Sequence, residues 1–126
     1  MSGKIERLRR LTKEDMLIGF KRALKRGNKL FRKKLEDYGV DTFKTVGAVG
    51  LFLKAKEKFG RLENLLGIEG KPNYEAIRDN IVDLFVLLGV IMAMYEEGLV
   101  DDSQLVRAYR AVMANEVQTS VQTEPK

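Results

Sequence analysis

Apolar residues recur every three or four positions along most of the chain, which is the spacing of amphipathic helices rather than of strands. The apolar stretches run from Met16 to Leu35, from Phe43 to Leu66, from Tyr74 to Tyr95 and from Leu105 to Met113. Glycines and Pro72 interrupt the pattern between them, where helices are expected to end. The pattern therefore predicts an all-α fold, a bundle of four or five helices.

Capping residues set the expected boundaries of these helices. Thr12, Asp41 or Thr42, and Asn73 are predicted N-caps, and Gly39 suits the position just after a helix end. The predicted organisation is one helical domain over 1–115, with basic helices in 1–38, core helices 42–66 and 74–97, a last helix 101–115 and a disordered tail 116–126.

Two apolar features predict close packing. Gly47, Ala48 and Gly50 are small residues in the 42–66 helix, and the usual reason to tolerate glycine there is the close approach of another helix. The 74–97 helix is apolar nearly all round from Leu84 to Met94, so we expect burial on more than one side. A chain of 126 residues has little else to cover such a helix, and a homo-oligomer formed through it is therefore expected.

The composition excludes several kinds of chemistry. The chain has no Cys, His or Trp, so disulfides, thiol nucleophiles and imidazole-based triads are ruled out. A metal would need oxygen ligands, which favours Mg²⁺ or Mn²⁺.

The longest uncharged run, Leu84 to Tyr95, has 12 residues, whereas a membrane span needs about 20. No secretory signal is recognisable. A cytoplasmic protein with no membrane association is expected.

Positive charge is concentrated at the N-terminal end. Residues 1–36 contain 13 Lys or Arg and 4 Asp or Glu, a net charge of +9, while the remaining 10 and 14 give −4. Such a surface can attract the phosphates of nucleic acids without reading their sequence. The alternative is a solvated helix face. The candidate nucleic-acid contacts are Lys21, Arg22, Lys25, Arg26, Lys29, Arg32 and Lys33.

Three carboxylates follow one another at helical spacing just before the most apolar run. Glu75, Asp79 and Asp83 lie four residues apart, so they repel one another unless water or a cation lies between them. The first of them is favoured by the helix dipole. Asp83 adjoins apolar residues, where a charge without a partner is costly. The stripe is therefore either a solvated face or part of a metal site.

The preceding helix offers possible partners for such a site. Glu57 could supply one more metal ligand, and Lys54, Lys58 and Arg61 could hold phosphates, since Mg²⁺ commonly binds one or two carboxylates together with substrate phosphates. The alternative is a salt-bridged outer face. Tyr38, next to a helix end, packs locally or stacks on a base.

In order along the chain, three motifs resemble a known family: KKLEDYG (33–39), GLFLKAKEKFGRLENLL (50–66) and KPNYEAIRDNIVDLFVLLGVIMA (71–93). Together they are similar to the phage and bacterial nucleotide modification associated domain, type one. That family is in turn similar to the MazG-like all-α nucleoside triphosphate pyrophosphohydrolases, which are Mg²⁺-dependent and oligomeric. The E-x-x-E pair of the MazG-like enzymes is absent here, and Ala76 stands where the family often has Ser.

The resemblance implies a Mg²⁺-dependent nucleotide-binding protein of phage, virus or mobile-element character, with pyrophosphohydrolase activity as its catalytic form. It implies metal ligation by Glu57, Glu75, Asp79 and Asp83, and nucleotide contacts from Asp37, Tyr38 and Asn64. The alternative hypothesis is a non-enzymatic nucleic-acid-binding or regulatory protein that uses its basic residues 4–34. A purely structural helical partner protein is a third hypothesis.

Overall fold

The computed structural model describes residues 2–123, apart from the side chains of Ser2, Tyr38 and residues 117–123. Over that range the chain is helical and has no strand, which confirms the all-α prediction. Its elements are α1 (Ser2–Arg9), α2 (Lys13–Gly67), α3 (Tyr74–Glu96) and α4 (Asp102–Thr123). None of these helices is long and apolar enough to cross a membrane.

The helices form two compact units, Met1–Tyr38 (unit 1) and Gly39–Lys126 (unit 2). Unit 1 holds α1 and the first part of α2. The Thr12 side chain accepts a hydrogen bond from the Asp15 backbone N–H at 3.1 Å, and the Asp15 carboxylate accepts one from the Thr12 N–H at 3.2 Å. This reciprocal pair satisfies donors that the first turn leaves free. It confirms the helix start predicted at Thr12.

Two glycines interrupt α2. Gly39 has φ 74° and ψ 168°, and Gly47 has φ 70° and ψ 176°, so the backbone leaves the helical conformation at both. Residues with a Cβ rarely adopt these angles. The helix end predicted at Gly39 is confirmed. The interruption at Gly47 was not predicted, because the sequence suggested a continuous helix over 42–66.

The small residues around Gly47 do not admit another helix in this structure. A Cβ added at Gly47 would meet no atom within 4 Å, and one at Gly50 would meet only the Val46 side chain of the same helix, at 2.7 Å. No helix of the described chain therefore makes the close approach expected at these glycines. What Gly47 supplies is the positive φ of the interruption.

Both later helices begin at capped positions. The Asn73 side chain accepts from the Ala76 N–H at 3.0 Å, which confirms the predicted cap of α3. The Asp101 carboxylate accepts hydrogen bonds from the Ser103 hydroxyl at 2.9 Å and from the Gln104 and Ser103 N–H groups at 3.2 and 2.9 Å. These bonds lower the pKa of Asp101.

α4 continues beyond the predicted end at residue 115. Its helix runs to Thr123, where a disordered tail was expected from 116, and residues 124–126 lie outside the described range. Between 103 and 123 the sequence has neither glycine nor proline, so nothing in it stops the helix. Glu116 is held by Lys56 of α2, with the ammonium nitrogen 3.5 Å from the carboxylate.

The core of unit 2 is small. Leu51, Ala55 and Leu62 are buried on one face of α2, while α3 buries three apolar residues and one amide: Val86, Val90, Ile91 and Asn80. The last part of α2 contacts α3 through Lys58 and α4 through Lys56, and the rings of Phe52 and Tyr109 meet edge to face at 5.4 Å. The nearby Asp102 carboxylate, at the start of α4, raises the pKa of Tyr95 at the end of α3.

We predict that Gly47→Ala destabilises the protein by about 1–3 kcal/mol, because alanine is strained at a φ of 70°. Urea unfolding followed by circular dichroism measures this free energy. The matched control is Gly60→Ala, inside α2 and with open space around an added Cβ, which should gain up to about 1 kcal/mol. Equal changes in the free energy of unfolding for Gly47→Ala and Gly60→Ala would show that Gly47 does not need a positive φ.

Candidate functional site

The structure brings two of the predicted site residues into direct contact. The Lys58 ammonium of α2 donates to the Asp83 carboxylate of α3 at 3.2 Å, across 25 residues of sequence. The two side chains are 30% and 27% exposed, so the pair is partly screened from water but still reachable. A residue predicted to hold phosphate thus lies against a residue predicted to hold metal.

The packing of α2 explains where Lys58 lies. It comes three residues after Ala55 and four before Leu62, both buried, so it flanks the core face on the side of α3. From this position its ammonium reaches Asp83, and its side chain is 30% exposed. Lys54 and Arg61, one turn to either side on the same face, are exposed.

Asn80 is a member of this region that sequence reasoning missed. It is 8% exposed, its amide nitrogen donates to the Ala76 carbonyl at 2.7 Å, and its carbonyl oxygen Oδ1 is buried without a hydrogen-bond partner. Buried polar atoms nearly always have a partner, so this orphan needs an explanation. The sequence did contain one sign of this position: Asn80 is an amide among the apolar residues that α3 buries, one turn before Asp83.

The other predicted metal ligands face outward. Glu57, Glu75 and Asp79 are exposed, and Asp83 is half-buried. Among residues 2–123, no three acidic side chains lie close enough together to hold a metal ion. The Asp83 carboxylate and the Asn80 amide oxygen, one turn apart on α3, are oxygen donors of the kind that Mg²⁺ prefers. Metal ligation by the four predicted carboxylates stays a prediction.

The predicted nucleotide contacts are divided between the two units. Asp37 is exposed in unit 1, and Asn64 is exposed on α2 in unit 2. The Tyr38 side chain lies outside the described part of the chain. A grouping of the three therefore stays a prediction.

The predicted cationic residues form one face of α2 in unit 1. Six of them line a surface groove of about 750 Å³, joined by Asn28 and by Glu36 as the groove's acidic residue: Arg22, Lys25, Arg26, Lys29, Arg32 and Lys33. Their spacing of three and four residues keeps them on one side of the helix. Lys21 is exposed outside this groove. We call these six side chains the cationic face.

A second groove extends the positive surface toward the N-terminus. It measures about 740 Å³ and lies between α1 and the start of α2. Lys4, Arg7, Arg10 and Arg22 line it together with apolar residues, and Asp15 is also present. Arg22 belongs to both grooves, so the positive surface of unit 1 continues from α1 along α2.

No family model, curated protein or solved structure matches this chain. The family resemblance of its three motifs therefore stays a prediction. The Lys58–Asp83 region and the cationic face are the two surfaces of the described chain that offer a functional site.

We predict that Asn80→Leu stabilises the protein by about 1 kcal/mol, because it removes a buried acceptor that has no donor. Thermal and urea unfolding of the purified variant measure the change. Asn80→Asp serves as the opposite control, since a buried carboxylate in the same place should destabilise. A destabilised leucine variant would show that Oδ1 has a partner in solution.

We also predict a modest coupling energy between Lys58 and Asp83. A double-mutant cycle with Lys58→Met and Asp83→Asn should give at most about 1 kcal/mol, because both groups are nearly one-third exposed and water screens their attraction. Urea denaturation supplies the four free energies of unfolding. A coupling of zero would mean that the contact does not persist in solution.

Proposed function

We propose that the protein binds a nucleoside triphosphate with Mg²⁺ at the Lys58–Asp83 region of unit 2. The observation that carries the proposal is the 3.2 Å contact between these side chains, one from each of two motifs predicted separately. A phosphate would exchange with Asp83 as the partner of Lys58. The carboxylate would then ligate the cation that accompanies the nucleotide.

Two neighbouring features support this proposal. Lys54 and Arg61 stand one turn before and after Lys58 with exposed side chains, so three cations can reach one chain of phosphates. The Oδ1 of Asn80, one turn before Asp83 on α3, is buried without a hydrogen-bond partner, so the chain itself leaves a polar atom unsatisfied next to the proposed site. A structural polar residue at that buried position would ordinarily have both of its amide groups satisfied.

We further propose that the bound nucleoside triphosphate is hydrolysed to a nucleoside monophosphate and pyrophosphate. When bound, Mg²⁺ would neutralise phosphate charge and lower the pKa of a water molecule. The chain's own contribution would be electrostatic: Lys58, Lys54 and Arg61 would orient the phosphates and stabilise the charge that develops on them. Pyrophosphate release with each of the common nucleoside triphosphates tests this step separately from binding.

We predict that Mg²⁺ with a nucleoside triphosphate raises the melting temperature, because a ligand that binds only the folded state stabilises it by mass action. The gain is about 2.7 kcal/mol at a hundred times the dissociation constant. The measurement is a thermal melt with EDTA, with Mg²⁺, and with Mg²⁺ plus each nucleotide in turn.

Lys58→Gln and Asp83→Asn should each abolish the nucleotide-dependent shift. The matched control is Lys56→Gln, which removes an ion pair of similar length from the same helix on the side of α4. Asn80→Leu should weaken the shift while raising the starting melting temperature. A shift that survives in Asp83→Asn, or that is lost equally in Lys56→Gln, would overturn the site.

The cationic face favours a second candidate function, the binding of nucleic acid through its phosphates. Six Lys or Arg side chains line one groove of unit 1 with a single acid among them. Such a surface binds a polyanion by displacing condensed counterions and needs no base contacts.

We predict that DNA binding, if it uses this face, weakens steeply with salt. Arg26→Gln with Lys29→Gln should reduce the slope of log affinity against log salt by about 2, since each lost phosphate contact removes about 0.9. Fluorescence anisotropy with a duplex of mixed sequence measures it. The control pair Lys71→Gln with Arg110→Gln lowers the net charge equally in unit 2 and should leave the slope unchanged.

A further inference from the structure

The first part of α2 has an apolar side that is exposed in unit 1. Met16, Leu17 and Leu24 are 57%, 62% and 49% exposed, and Phe20, at 58%, lies among them. Leu17 and Leu24 are seven residues apart, about two turns of the helix, so they lie on the same side. We call these four residues the apolar face. A group of large apolar side chains exposed on one side of a helix commonly marks an interaction site.

α1 faces a different side of α2. The α2 residues that line the groove between the two helices are Asp15, Ile18, Gly19 and Arg22. Arg22 stands two residues before Leu24, a little more than half a turn, and Ile18 stands in the same relation to Phe20. The groove and α1 are therefore turned away from the apolar face.

The cationic face occupies the opposite side of the same helix. Between Met16 and Leu35 the chain has eight Lys or Arg and no Asp or Glu, and six of the eight form the cationic face. Lys21, exposed outside the groove of that face, comes four residues after Leu17 and so borders the apolar face. This stretch of α2 is thus a basic amphipathic helix, a pattern typical of membrane-surface segments.

We propose that this stretch of α2 binds the surface of an anionic phospholipid bilayer. A helix of this kind lies in the plane of the interface, with its apolar side chains about 5–10 Å deep at the boundary of headgroups and acyl chains. Anionic headgroups attract the Lys and Arg side chains within a Debye length, about 8 Å at physiological ionic strength. Contact is with the surface alone, since none of the described helices can cross a membrane.

The apolar face favours a bilayer over a nucleic acid as the partner of this helix. A nucleic acid would be held through the cationic face and would leave Met16, Leu17 and Leu24 in water. A bilayer accepts both sides of the pattern, because its headgroups carry negative charge and its acyl chains take up apolar side chains. The inference uses residues of unit 1 only, so it stands independently of the nucleotide site proposed in unit 2.

The first test is cosedimentation of the full chain with vesicles. One set contains equal parts of phosphatidylglycerol and phosphatidylcholine, and the other contains phosphatidylcholine alone. We expect binding to the anionic set, and binding at least roughly tenfold weaker to the neutral set, because each cation near an anionic surface contributes about a factor of five. Absence of binding to the anionic vesicles would overturn the inference.

The apolar contribution is tested by Leu17→Gln with Leu24→Gln, which should weaken binding to the anionic vesicles at least roughly tenfold. The matched control is Leu66→Gln with Leu99→Gln, which removes two leucines of unit 2 that are 64% and 69% exposed and should leave binding unchanged. Circular dichroism verifies that each variant is folded. Equal losses in the two pairs would overturn the inference. So would binding that survives in the first pair, which would leave the cationic face as a binder of polyanions such as nucleic acid.

The second test uses the absence of tryptophan from the chain. Leu24→Trp places one fluorescent side chain on the apolar face, and Leu99→Trp places one in unit 2. With anionic vesicles, the emission of Leu24→Trp should shift to the blue and be quenched by lipids brominated along their acyl chains, while that of Leu99→Trp should not change. An unshifted emission of Leu24→Trp in excess vesicles would overturn the inference, because the apolar face would then remain in water.

Discussion

Burial of one face of α2 is the constraint on which unit 2 depends. Leu51, Ala55 and Leu62 leave water together, and this fixes the rotation of the helix. Once that rotation is set, Lys58 lies on the side of α3 and Lys56 on the side of α4. The three helices are thus held by a small apolar core with polar contacts at its edges.

The same burial sets how far Lys58 and Asp83 are exposed to water. An ammonium and a carboxylate at the rim of a core remain within reach of a ligand, whereas a fully buried pair would require complete desolvation. Their attraction is weak at nearly one-third exposure, so a phosphate and a cation can separate them at small cost. The buried, unpaired oxygen of Asn80 adds an acceptor close to this pair.

Charge is divided unevenly between the two units. Unit 1 carries the cationic face, while unit 2 carries most of the acidic residues and the Lys58–Asp83 region. The two candidate functions therefore rest on different units, and substitutions in one unit can test each function separately.

The sequence by itself determined the helices and the composition of the cationic face. Helical periodicity, the caps at Thr12 and Asn73, and the break at Gly39 are local features, fixed by hydrogen bonds and backbone angles within a few residues. The spacing of cations on one helix is equally local. The positive φ at Gly47 was not predicted. In a sequence, a glycine that allows a neighbouring helix to approach cannot be distinguished from one that adopts a positive φ.

Only the tertiary structure decided which of the charged residues meet. Glu75, Asp79 and Asp83 look alike at a spacing of four residues, yet Asp83 alone is drawn to the edge of the core and paired with Lys58. The unpaired oxygen of Asn80 depends in the same way on what packs over it. These outcomes rest on how α2 and α3 are rotated against each other, and that rotation follows from the burial of side chains far apart in sequence.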